Sequence, residues 1–98
     1  MLVGHVDRTE PEFVAGWAAD TDTPDSVEEV IIYVDGKRAA RIACNRPRQD
    51  LRDRGDYGRG HHGFEWLVSP PIPRYLLDRI TVRFARSGTI LPRGEVTP

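Results

Sequence analysis

Five residues in one short stretch have the side chains to hold a polar ligand: Arg54, Tyr57, Arg59, His61 and His62, interleaved with Gly55, Gly58, Gly60 and Gly63. A flat phenol ring suits the C–H face of a sugar, and guanidinium and imidazole groups suit its hydroxyls. This is the stretch of the chain where an aromatic, several hydrogen-bond donors and turn glycines converge outside the expected core. These five residues are therefore the expected ligand-binding set, with carbohydrate as the matching chemistry. The competing view is a plain surface loop, since tyrosine beside glycine is ordinary turn composition.

Other groups are chemically capable but poorly arranged. Asp20, Asp22 and Asp25 make an oxygen-rich loop of the sort that can hold calcium, but the run lacks the central glycine and distal glutamate of a calcium loop. It reads as a solvated turn whose carboxylates bond nearby amides. His5, His61, His62 and Cys44 are all zinc ligands by type. Adjacent histidines on a strand point to opposite faces, however, and a lone cysteine in an alternating run packs inward. Ser26, Ser69 and Ser87 sit in turns with no base and orienting partner beside them. The expectation is no catalytic residue, no metal site and no cofactor, and hence no enzyme. Between positions 46 and 62, Arg46, Arg48, Arg52, Arg54 and Arg59 face Asp50, Asp53 and Asp56, too small an excess for a nucleic-acid stripe.

The elements that must position these groups are short strands. Phe13, Ala15, Trp17 and Ala19 alternate with smaller residues and predict a strand with the bulky set inward. Val27 to Asp35 is β-branched, Asp35-Gly36 is a two-residue hairpin turn, and the chain returns over Lys37 to Cys44 with Ala40, Ile42 and Cys44 inward. Arg46 to Tyr57 breaks the pattern. It predicts a long surface connection with a turn or two of helix from Pro47 to Gly55, anchored by Leu51, with Arg46 pairing Asp50 or Asp50 bonding local amides. Phe64, Trp66 and Val68 give another strand, and Ile80, Val82 and Phe84 the last clear one. Thr89 to Leu91 adds an edge piece, and Leu76 and Leu77 a helical turn. Six to eight such strands imply an all-β fold, a small antiparallel β-sandwich, immunoglobulin-like or jelly-roll-like, with one long connecting loop. Its expected core is Phe13, Ala15, Trp17, Val30, Ile32, Val34, Ile42, Phe64, Trp66, Ile80, Val82 and Phe84.

Ninety-eight residues make one domain, 1–98, of the kind that is also found excised from a longer protein. A net charge of −1 gives no pull toward polyanions or membrane surfaces, and the single cysteine leaves stability to the core. No stretch has the apolar length of a membrane span, and the N-terminus lacks the pattern of a signal peptide.

Gly4-x-Val6-Asp7, Gly16-Trp17-Ala18, Val34-Asp35-Gly36, Arg46-x-x-x-Asp50-Leu51 and Gly60-x-His62-Gly63-Phe64 occur in an order that resembles a bacterial module. That module is a β-sandwich found beside glycosyltransferase domains and in surface-associated proteins of proteobacteria. The resemblance covers about the first two-thirds of the chain. It implies a non-catalytic accessory module with glycan as partner, and names no binding residue. The alternative is a structural or protein-interaction module that positions a neighbouring domain, with the Arg46–Asp50 and Gly60–Gly63 motifs serving as a clasp.

Overall fold

The computed structural model describes residues 1–55, 58 and 60–93. Seven strands form two antiparallel sheets among them. One sheet contains β1 (Leu2–Glu10), β2 (Phe13–Asp20), β6 (His61–Leu67) and β5 (Arg46–Pro47), in the order β1-β2-β6-β5. The other contains β4 (Lys37–Ala43), β3 (Glu29–Val34) and β7 (Ile80–Phe84), in the order β4-β3-β7. The expected all-β sandwich is the observed architecture. The chain passes between the sheets at Cys44, whose amide donates to the Glu28 carbonyl at 2.8 Å.

The hairpin at Asp35-Gly36 forms as its residues demand, with φ of 52° and 79° at the two turn positions. Both lie in the left-handed region that a tight two-residue β-turn requires. The long connection carries one short helix, α1 (Gln49–Arg54), which stops at Gly55 and is held down by fully buried Leu51. Its first residues, Arg46 and Pro47, form the short edge strand β5. Leu76 and Leu77 lie in a 3-10 helix over Arg74–Arg79.

The core between the sheets is built from Val6, Val14, Ala18 and Phe64 on one side and Val30, Ile32, Ile80, Val82 and Phe84 on the other. Trp66 packs against it, with Val34 and Ile42 at its margin. Burying these side chains contributes about 1.5–3 kcal/mol each. Strand β2 corrects the expectation. Its inward residues are Val14, Gly16 and Ala18, while Phe13, Ala15 and Trp17 face the other way. Cross-strand pairing sets the phase: Val14 is opposite Trp66 and Gly16 opposite Phe64. A Cβ on Gly16 would lie 2.2 Å from the His5 carbonyl oxygen and 3.0 Å from two ring carbons of Phe64. The Phe64 ring takes the volume that a side chain at position 16 would need, so the small face of β2 packs inward. On the outer face, the Arg8 guanidinium lies 5.0 Å from the centroid of the Phe13 ring.

A buried ion cluster joins the ends of the two sheets. Arg86 donates to Asp20 at 2.8 Å and to Glu28 at 3.1 Å, and both carboxylates are shielded from solvent. The Met1 amine, then Arg86, hold the Asp20 carboxyl well below the usual carboxylate range. Asp20 therefore spends its oxygens on cations of the protein itself, and Asp22 bonds the Met1 amine at 2.7 Å.

Candidate functional site

Strand β1 carries a bulge that aims several polar groups the same way. Val6 pairs with Gly16 and Arg8 with Ala15, leaving Asp7 as the extra residue. Alternation would turn Asp7 and then Arg8 to opposite faces, but the bulge brings both to the outer face along with His5. Asp7 accepts from His5 Nδ1 at 2.9 Å and from Arg48 Nη1 at 3.0 Å. The second contact spans 41 residues and ties the long connection to β1.

Arg48 is the centre of this face. Its other nitrogens donate to both oxygens of Asp50, at 3.0 and 2.9 Å. These bonds to Asp50, partly offset by desolvation and supported by Asp7, push the Arg48 guanidinium above its already high range. The same guanidinium, with lesser help from the Leu51 and Asp50 amides, holds the Asp50 carboxyl low. Asp50 was expected to pair with Arg46 or to bond local amides, and the Leu51 and Asp50 amides do contribute. The Arg46 pairing needs a helix starting at Pro47, whereas α1 starts at Gln49, and Arg46 on β5 instead lies 3.6 Å from Glu65.

The Arg48 stem crosses directly above Gly63, where an added Cβ would sit 3.0 Å from Arg48 Cγ and 3.1 Å from the Arg46 carbonyl oxygen. Beside it runs a groove of about 240 Å³ between Asp7, Arg8, Ala15, Arg46, Arg48 and Glu65. Half-buried Trp17 is placed opposite His5 on one side and Gly63 on the other. One face thus presents an indole, a shallow floor of small residues, and carboxylates paired with guanidinium groups. Chemically it supplies both donors and acceptors around a flat apolar patch. It carries no nucleophile beside a base, and among the described residues no three histidine, cysteine or acidic groups gather to hold a metal.

Of the ligand set expected from sequence, Arg54, His61 and His62 are described. Tyr57 and Arg59 lie outside the described residues. Arg54 is exposed on α1, and His61 is exposed at the start of β6. His62 is turned inside, 1% exposed, and its Nε2 donates to the Pro24 carbonyl at 2.7 Å. That imidazole anchors the aspartate loop to β6. His61 and His62 border a second depression of about 330 Å³ with Pro24, Asp25 and Val27. Cys44 is fully buried, and burial, reinforced by Glu28 and Glu29, pushes its thiol up to about 12.

Sequence reasoning missed His5, Asp7, Trp17, Arg48 and Gly63 as one constellation, although all five stand within motifs already singled out. The available signal was the glycine at 63, which lets the Arg48 stem lie directly against β6. The phase of β2, which places Trp17 opposite that glycine, was not in the sequence pattern. No protein-family model matches this chain, and neither a curated protein nor a solved structure matches it significantly.

Proposed function

We propose that the chain is a non-catalytic accessory module, of the kind that accompanies glycosyltransferase domains, and that it binds neutral carbohydrate on the outer face of its four-stranded sheet. The observation that carries this reading is the convergence of Trp17 and the Arg48–Asp7–Asp50 network, with the Arg48 stem seated on Gly63, beside one groove. An indole ring covers pyranose C–H groups, and paired acid–base side chains offer a hydroxyl a donor and an acceptor together. Around the groove Arg8 pairs with Glu10, Arg46 with Glu65, and Arg48 with Asp7 and Asp50. This internal neutralisation favours an uncharged ligand, since a charged one must displace an existing partner. A groove this small, below the roughly 300 Å³ at which drug-sized sites begin, implies weak binding to one sugar ring at a time.

The test is a titration of the isotopically labelled protein with neutral oligosaccharides at millimolar concentration, followed by NMR. Shifts are expected at the Trp17 indole, Ala15, Arg48 and Gly63, and Trp17→Ala should abolish them. Loss of binding in Tyr57→Ala with Trp17→Ala unaffected would instead locate the site in the glycine-rich loop. No shift with any sugar would favour the structural-module reading. That second reading draws support from Leu67, which is 69% exposed at the end of the same face opposite Phe13. A bare leucine there suits contact with a neighbouring domain.

A further inference from the structure

We infer that the outer face of the three-stranded sheet is a separate binding site for an anionic saccharide, one bearing carboxylate or sulfate groups. This goes beyond the neutral-sugar reading and rests on different residues. Register alone assembles it. Tyr33 on β3 stands between Arg38 on β4 and Thr81 on β7, and the next row places Ile31 between Arg41 and Arg83. Arg38 lies beside Tyr33, Arg83 over its ring and Arg41 one row away, against a single carboxylate, Glu29, among the described residues of the face.

The charges are unevenly satisfied. Arg41 Nε donates to Glu29 at 2.6 Å. Arg83 lies over the Tyr33 ring, 5.8 Å from its centroid, and spends one nitrogen on the Gly88 carbonyl at 3.0 Å. Arg38 is exposed, and its side chain has no hydrogen bond or ion pair among the described residues. Asp35 and Arg79, at 3.3 Å, close the rim as a balanced pair. What remains is a guanidinium without a partner on the β4 side of Tyr33, and on its β7 side a depression of about 480 Å³ lined by Tyr33, Gly36, Thr81, Arg83 and Gly88. The glycines leave that space open: a Cβ on Gly36 or Gly88 would meet nothing within 4 Å.

Guanidinium forks match the two oxygens of a carboxylate or sulfate, and one ring with one hydroxyl matches a single pyranose. A nucleic-acid strand fits less well. Platforms for single strands stack successive bases on several aromatics, and among the described residues this face has one, Tyr33.

The decisive experiment titrates the labelled protein separately with an oligogalacturonate, its fully methyl-esterified form, a sulfated heparin-derived oligosaccharide and an oligo-dT. The expected result is shifts at Tyr33, Arg38, Thr81 and Arg83 with the uronate, the sulfated sugar or both, and none there with the ester. Whichever of the two shifts at lower concentration identifies the oxyanion. Arg38→Gln should weaken binding about tenfold at unchanged melting temperature, and Arg38→Lys should recover only part of it. Equal shifts with the ester, tighter binding of oligo-dT, or no shift on this face would each overturn the inference. Shifts near Trp17 report on the other face, so either reading can fail while the other stands.

Discussion

The two outer faces of the sandwich solve the same problem in opposite ways. The face of the four-stranded sheet is made by close approach: Gly16 admits Phe64 beneath it, Gly63 admits Arg48 above it, and a bulge turns Asp7 toward a partner 41 residues away. Its charges are matched. The face of the three-stranded sheet is made by register alone, from neighbours on adjacent strands. Glu29 pairs with Arg41 and Asp35 with Arg79, and Arg38 is left over. A site that depends on tertiary contacts should be fragile toward steric change and tolerant of salt. One built on register should show the reverse.

The largest effect expected from that contrast is steric. Gly16→Val places a side chain where the His5 carbonyl and Phe64 ring already lie, and should cost about 3 kcal/mol or more in a urea melt. Thr81→Val, on the other face, should stay within about 0.5 kcal/mol. Equal costs would erase the distinction. Next comes the pair of tryptophans. Trp66→Ala, which opens the core, should cost about 3 kcal/mol, and Trp17→Ala, on the outer face, about half of that. A reversal of the two would return Trp17 to the core.

Arg48→Gln should cost about 1 kcal/mol, and its effect should be visible in acid. Asp50 has a folded pKa below its unfolded one, held there by Arg48. The stabilisation is therefore complete above pH about 4 and is lost as pH falls through the lower folded value. Melting temperature measured from pH 6 to pH 2 should fall more gently in Arg48→Gln than in the parent; parallel curves would show that the clasp adds nothing.

The smallest effect concerns the crossing between the sheets. Cys44 should resist iodoacetamide at pH 7.5 in the native protein and label fully in denaturant, because its thiol is buried and pushed up to about 12. In alkali the unfolded thiol ionises from about pH 8.5 while the folded one keeps its proton, so stability should decline as pH rises beyond that point. Rapid native labelling would mean that the connection between the sheets opens readily.

Much of the framework was legible because it is written in local chemistry. Asp35-Gly36 specifies its hairpin through backbone preference, Leu51 announces a buried anchor in a polar segment, and the run of β7 has one apolar face, Ile80, Val82 and Phe84. Strand β2 was legible as a strand but not in phase. Both of its faces are apolar, Phe13, Ala15 and Trp17 against Val14, Gly16 and Ala18, so period two cannot say which set is buried. Side-chain bulk pointed the wrong way, since the larger residues face out. The burial of His62 was illegible for a related reason: nothing local tells an imidazole that a carbonyl 38 residues away will accept its hydrogen bond.

The sequence by itself determined the class of fold, a count of six to eight strands and the Asp35-Gly36 hairpin, because propensity and turn chemistry act over a few residues. Only the tertiary structure decided that Trp17 faces outward, that Arg48 rather than Arg46 holds Asp50, and that Asp7 closes the clasp. Those outcomes depend on which volume is already filled and which charge is already paired once distant segments meet. Packing and electrostatic pairing are properties of the assembled neighbourhood, and no stretch of chain carries them alone.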